Sequence, residues 1–266
     1  MIWVKTRYDN GLKMNIPHSE NIAHAMYGFR QLGAEMQTYE SIDDIYDKVS
    51  SDDIVLDYID QCQCIFDKFG LSYGLNNYPD CLKEYLGRKI WTDTINSIAS
   101  DEKKWSAGWF VKPRNREKAF TGKVISSIAD LVGCGSCHEN YEVICSEKLN
   151  ILAEWRGFIL YDKLIDMRPY GLLLDQHRKE EAWHYSYDAD TVENMVTDFR
   201  KWGDRPASCS MDIGVVRDSH GNEKTVLIEM NDSYALGNYG LPSIFYAKLI
   251  SARWSQLFNR EDIYNF

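Results

Sequence analysis

The sequence predicts an α/β unit at the front of the chain and an α+β region behind it. Two observations carry this. Over roughly the first 80 residues, short apolar strands alternate with helical stretches, the pattern of a small parallel sheet. From Gly108 onward strands dominate and are joined by short turns. The turn residues Asn76-Asn77-Tyr78-Pro79 mark the change of pattern.

In the front unit, Ile2 to Val4 reads as a first strand, and Ser19 to Leu32 as a helix capped by Ser19 and closed by Gly33. Glu35–Tyr39 reads as a second strand, Ser41–Lys48 as a short helix, and Asp53–Tyr58 as a third strand. Helices follow at about Asp80–Leu86, ended by Gly87, and Thr92–Ala99. Strands are then expected at Trp109–Lys112, Tyr141–Ser146, Ala153–Tyr161 and Leu164–Tyr170. A helix near Thr191–Trp202, strands Ser208–Val216 and Thr225–Asn231, and a helix over Pro242–Phe258 complete the chain.

At 266 residues the chain is long enough to fold without disulfides or a structural metal. Its 30 basic and 40 acidic side chains leave a net charge of −10, which argues against extended nucleic-acid binding. Seven cysteines follow no framework and read as reduced thiols, so the expected compartment is the cytoplasm. The first charge comes at Lys5, too early for a signal-peptide core. No run approaches the roughly 18–20 apolar residues of a membrane span, so no membrane partner is expected.

The charge is unevenly placed. Between Lys103 and Lys123 stand seven basic residues and one acid, Glu117, so this stretch is +6 and the remainder −16. Lys112 ends the apolar strand Trp109–Lys112, and Arg114 to Lys123 is a polar loop finishing Phe120-Thr121-Gly122-Lys123. Such a loop offers backbone N–H groups and lysines to phosphates. Its glycine spacing is not that of a Walker loop. A solvated basic loop explains the charge equally well.

The strands Met211–Val216 and Thr225–Asn231 are joined by Arg217–Lys224, a turn by composition, and read as an antiparallel hairpin. If Val216 faces Thr225, Asp212 falls opposite Glu229, and Asn231 shares that face. Two carboxylates so placed repel unless a proton or cation compensates, and magnesium takes hard oxygen ligands of this kind. The alternative is a solvated polar face with Lys224 or Arg217 diluting the repulsion. A second hairpin turns at Tyr161-Asp162-Lys163 and brings Arg156 and Arg168 to the same end. Two arginines there can hold a carboxylate or an anionic intermediate. Ion pairs with Glu154 and Asp166 account for them as simply.

Taken in order, Lys112, the loop through Gly122, Val143–Glu147, Glu154-Trp155-Arg156, Arg168, Asp212 and Glu229-Met230-Asn231 resemble the ATP-grasp superfamily. The likeness is to its bacterial and phage branch, and the motifs span about residues 88–240. The resemblance implies an α/β N-terminal Rossmann-like subdomain followed by α+β ATP-grasp subdomains. Residues 1–80 would form the Rossmann-like domain and 81–266 the ATP-grasp domain. Within the latter, 81–148 would carry the phosphate loop and 149–266 the metal site.

It further implies ATP and Mg2+, with Mn2+ as an alternative ion. Lys112 would hold the nucleotide phosphates, assisted by Arg88 or Lys89 and by the loop residues Lys118, Thr121, Gly122 and Lys123. Ile144 to Lys148, with Cys145, Ser146 and Glu147 at its centre, would line the adenine. Asp212, Glu229 and Asn231 would hold magnesium, and Arg156 and Arg168 would stabilise an acyl phosphate. The implied activity is a carboxylate–amine ligase acting on a small molecule or peptide that presents a carboxylate, with an amine as acceptor. A phosphotransferase and a non-catalytic nucleotide- or metal-binding module are the alternatives.

Other features compete less well. Cys134-Gly135-Ser136-Cys137-His138 has the spacing of a c-type haem attachment, and with Cys145 could supply zinc ligands. An ordinary turn with free thiols is the simpler reading, as it is for Cys62-Gln63-Cys64. The many aromatic residues fit core packing better than base stacking. His184, between Trp183 and Tyr185, is read as a packed or solvated histidine.

Overall fold

The computed structural model describes residues 1–114, 119–135, 139–170 and 184–266. They form two compact units, one of Met1–Tyr85, Leu152–Val215 and Lys224–Phe266, the other of Leu86–Ile151 and Val216–Glu223.

In the first unit β1 (Ile2–Asp9) pairs in parallel with β3 (Met36–Tyr39) and with β4 (Ile54–Leu56). Its far end pairs antiparallel with β2 (Met14–Pro17). Helix α1 (Glu20–Gln31) begins where the Ser19 hydroxyl accepts the Ile22 N–H, and ends before Gly33, whose φ of +78° suits glycine. Helix α2 (Ile59–Lys68) buries Cys62, Ile65 and Phe66. Helix α5 (Ala189–Phe199) is capped by Asp188, and helix α6 (Ser243–Leu257) packs on α1. Val4, Phe29, Ile65 and Phe66 share one core with Phe158 and Trp254. The first 85 residues therefore pack with the later part of the chain.

The same unit holds a second sheet, ordered β10-β9-β11-β12. Strands β9 (Ile151–Leu160) and β10 (Lys163–Pro169) form an antiparallel hairpin with an irregularity between Leu164 and Asp166. Strands β11 (Ser208–Arg217) and β12 (Glu223–Asp232) lie side by side, and the Asp218 carboxylate between them accepts the His220 and Asn222 N–H groups. The second unit carries an antiparallel sheet of order β5-β8-β6-β7, comprising Ile90–Thr94, Glu142–Ser146, Trp109–Pro113 and Lys123–Ile125. Helices α3 (Ile95–Ser100) and α4 (Glu102–Trp105) accompany it. Its core is built on Ile95, Ile98, Val111, Ile125, Val143 and Cys145. Among the described residues no helix is long and apolar enough to cross a membrane.

The α/β front and the strand-rich rear are as expected, but several elements differ. The helix expected over Thr92–Ala99 begins only at Ile95, because residues 90–94 form β5 and the Thr94 hydroxyl caps the helix through the Ser97 N–H. Ser41–Lys48 and Asp80–Leu86 yield only short 3-10 turns, at Ile42–Asp44 and Asp80–Tyr85. Strands β2 and β7 and helix α2 add to the expected elements. Lys123, expected at the end of a loop, instead opens β7 and pairs with Val111.

Candidate active site

Within the first unit, β9 lies beside β11, and this places Arg156 against Asp212. Arg156 Nε donates to Asp212 Oδ1 at 2.8 Å and Nη2 donates to Oδ2 at 2.6 Å. Asn231 Nδ2, from β12, donates to the same Oδ2 at 2.9 Å. Both charged partners are buried, Asp212 at 1% and Arg156 at 5% exposure. Burial pushes the Asp212 carboxyl above the usual range and the Glu229 charge adds to this, while Arg156 opposes both. Burial works to lower the Arg156 pKa, but its hydrogen bonds and attraction to Asp212 outweigh this and hold the guanidinium charged.

Arg168 faces Arg156 across the β9–β10 ladder. Its Nε and Nη2 donate to Asp166 Oδ2 at 2.9 and 2.6 Å, and its side chain is 35% exposed. The ion pair with Asp166 named as the simpler explanation is therefore present. Two further residues complete the cluster. The Arg156 guanidinium carbon lies 4.5 Å from the Tyr239 ring centroid and 5.1 Å from that of Tyr170. The two rings stack 4.9 Å apart at 29°. Burial, followed by a hydrogen bond with Tyr239, raises the Tyr170 hydroxyl well above its ordinary pKa.

Asp212, Glu229 and Asn231 offer hard oxygen donors. Among the described residues no group of three His, Cys, Asp or Glu side chains is placed to hold a metal. Two carboxylates and an amide suit magnesium, which keeps positions for water and phosphate, rather than a closed zinc site. Asp212 Oδ2 already accepts two hydrogen bonds and Oδ1 one. This leaves Oδ1 the better placed to meet a cation.

The residues expected to bind nucleotide fall in the second unit. Lys112 on β6 pairs with Ile144 on β8, and Val111 with Cys145. Val111 and Cys145 enter the core, so alternation sets Lys112 and Ile144 on the opposite face. Gly122 lies against that face: a Cβ there would stand 2.6 Å from Phe110 Cζ and 3.1 Å from Lys112 Cβ. Thr121 is exposed, and Lys123 Nζ donates to the Val132 carbonyl at 3.4 Å. Lys89 and Glu147 bond reciprocally, the Lys89 N–H to Glu147 Oε2 at 3.0 Å and the Glu147 N–H to the Lys89 carbonyl at 3.2 Å. Ser146 is buried and its hydroxyl donates to the Glu147 carbonyl. The Cys145 thiol is wholly inside the core, and burial pushes its pKa up to about 12. Any contact it makes with a nucleotide would be through its backbone. Lys118, Cys137 and His138 lie outside the described residues.

A family model describing an ATP-grasp domain, the second family of its clade, matches residues 85–249, well over half of the chain. This chain belongs to the ATP-grasp superfamily. No curated protein matches it. Three solved ATP-grasp structures are similar to it. One is the macrocyclase MdnC from Microcystis aeruginosa MRC, bound with precursor peptide MdnA: 10% identity, 94% of this chain and 98% of that one covered, TM-score 0.46. A second is the D-alanine–D-alanine ligase from Bacillus anthracis, with 12% identity, 97% and 96% coverage and TM-score 0.49. The third is the ATP-grasp ligase PsnB complexed with minimal precursor, Mg and ADP, with 12% identity, 95% and 96% coverage and TM-score 0.47.

Sequence reasoning picks out Arg156, Arg168, Asp212, Glu229 and Asn231 in this ATP-grasp protein without joining Arg156 to Asp212. It misses Tyr239, which lies in the turn after β12, beyond any strand periodicity. The only signal is Asn238-Tyr239-Gly240, a turn-like triplet.

Proposed function

We propose that this ATP-grasp protein is an ATP-dependent ligase that joins a carboxylate to an amine through an acyl phosphate, with a peptide or amino acid as substrate. The observation that carries this reading is the buried cluster of Arg156, Asp212 and Asn231, coupled to Glu229, in a chain of this family. Asp212, Glu229 and Asn231 would hold magnesium, or manganese in its place. When bound, the ion neutralises phosphate charge.

Lys112, with Lys118, Thr121, Gly122 and Lys123, would cradle the phosphates. Lys89, Ser146, Glu147 and the backbone of Cys145 would line the base. A substrate carboxylate oxygen attacks the γ-phosphorus, forming a C–O–P linkage as the bond to ADP breaks. The amine then attacks the acyl carbon, and phosphate leaves with the C–O electron pair. Arg168, partly exposed, would meet the developing oxyanion. Arg156 has two of its nitrogens committed to Asp212 and would act mainly by holding that ligand in place. The free thiols of the described cysteines suit a reducing compartment, the cytoplasm.

The test is phosphate release from ATP with a carboxylate substrate and an amine supplied singly and together. Dependence on both supports the ligase; a stable phosphorylated product with no amine requirement would replace it with a phosphotransferase. Calorimetry with Mg-ATP is expected to show binding that Lys112→Ala abolishes and Glu229→Gln weakens. Unchanged binding in both variants would overturn the site assignment and favour the non-catalytic module.

A further inference from the structure

We infer that Tyr239 is a positioning residue: with Tyr170 it forms an aromatic clamp that fixes the Arg156 guanidinium and, through it, the orientation of Asp212. The inference deepens the proposed function and rests on it, since it assigns Tyr239 to the same metal site.

The argument starts with the guanidinium. A flat cation tied to Asp212 on one edge can still tilt about its Nε–Cζ axis unless its faces are also held. Here two tyrosine rings lie against it, with centroids 4.5 and 5.1 Å from Cζ. The rings are themselves mutually stacked at 4.9 Å, so neither moves without the other. Tyr170 is anchored at its backbone, its N–H donating to the Glu154 carbonyl at 2.8 Å.

Tyr239 is anchored by an unusual turn. Its φ is +48°, a region that side-chain-bearing residues rarely adopt, and Gly240 follows at +83°. Asn238 pins this turn from both sides. Its Nδ2 donates to the Leu241 carbonyl at 2.7 Å and its Oδ1 accepts the Gly240 N–H at 2.9 Å. The Asn238 N–H is in turn held by Asn21 Oδ1 at 3.0 Å. Gly237 completes the seat, since a Cβ there would lie 2.7 Å from the Tyr239 ring. The chain thus devotes a left-handed residue, a buried asparagine and a glycine to keeping one ring over one arginine. The clamp also shuts water from the Arg156–Asp212 pair, which strengthens it.

The experiment compares wild type, Tyr239→Leu and Tyr239→Phe by two readouts. The first is the Arg156 Nε–H resonance in selectively labelled protein, assigned by its loss in Arg156→Lys. Slow solvent exchange is expected in wild type and Tyr239→Phe, and exchange faster by about tenfold or more in Tyr239→Leu. The second is Mn2+ affinity by calorimetry, expected to fall about tenfold in Tyr239→Leu and less than about twofold in Tyr239→Phe, the scale of an outer-shell loss. Circular dichroism and the melting transition confirm that each variant is folded. A folded Tyr239→Leu variant with unchanged Nε–H exchange overturns the clamp. If the exchange changes as expected but wild type binds neither Mn2+ nor Mg-ATP, the clamp stands and the ligase reading falls.

Discussion

Arg156 and Asp212 meet edge to edge, Nε to Oδ1 at 2.8 Å and Nη2 to Oδ2 at 2.6 Å, in a place where neither side chain is more than 6% exposed. A pair so buried is weak evidence for stability in itself, because desolvating both charges offsets most of their attraction. Breaking it is another matter. Arg156→Ala leaves Asp212 buried beside Glu229 with no countercharge. The expected loss is about 3–5 kcal/mol in urea unfolding. Arg156→Ala/Asp212→Ala is expected to lose clearly less than the sum of the single changes. Additive losses would show that the two groups do not act as a pair.

That pair also marks how far sequence reading reaches. Ser19 and Gly33 bound α1 correctly because capping is local chemistry. The β9–β10 hairpin puts Arg168 opposite Arg156 because a tight turn fixes register. The contact of Arg156 with Asp212 depends on β9 lying beside β11, strands separated by some fifty residues, and no local pattern states that neighbour. Strand β2 is illegible for a similar reason: its four residues become a strand only by pairing with β1. Helix α2 is hidden because Cys62 fills its buried stripe with Ile65 and Phe66, where a cysteine pair reads more readily as a motif than as a helical face. Residues 90–94 mislead because Thr94 serves both as the end of a strand and as a helix cap.

Gly28 reports on the packing of the first unit. A Cβ at this position would lie 1.9 Å from the Ser243 carbonyl oxygen and 2.8 Å from the Ala247 Cβ, so α1 and α6 cannot keep their present approach with any larger residue. A backbone carbonyl cannot rotate aside as a side chain can. Gly28→Ala is expected to destabilise by about 3 kcal/mol, at the upper end for overpacking, despite alanine's better helix propensity. Guanidinium unfolding measures it. A stabilised variant would mean that the helices do not meet at this glycine.

Asp53 sets an acid limit. Burial pushes its carboxyl up, but hydrogen bonds from the Ser50 N–H, the Trp3 indole and the N-terminal ammonium outweigh this and hold its pKa below the ordinary 3.8. A carboxylate depressed in the folded state contributes stability that is full above its unfolded pKa and is lost as pH falls through the folded value. The window is therefore below about pH 4. Asp53→Asn is expected to be less stable than wild type at pH 7 and to show a shallower loss on acidification below about pH 4. Parallel stability curves for the two proteins across that range would remove Asp53 from the account.

Gly122 joins the loop to Lys112. Its missing side chain leaves room for Phe110 Cζ at 2.6 Å and Lys112 Cβ at 3.1 Å from where a Cβ would stand. The Phe110 ring can swing, but the Lys112 Cβ is fixed by the β6–β8 ladder. Gly122→Ala should therefore push the loop away from Lys112 more than it disturbs the core, which lies on the other face of the sheet. If the phosphates rest between Lys112 and this loop, Mg-ATP affinity is expected to fall about tenfold, or ~1.4 kcal/mol, while the melting temperature shifts by only a few degrees. Gly203→Ala is the control, since nothing lies within 4 Å of a Cβ at that position. It should leave affinity unchanged. Equal affinity in wild type and Gly122→Ala would separate the loop from the nucleotide and leave Lys112 to hold the phosphates without it.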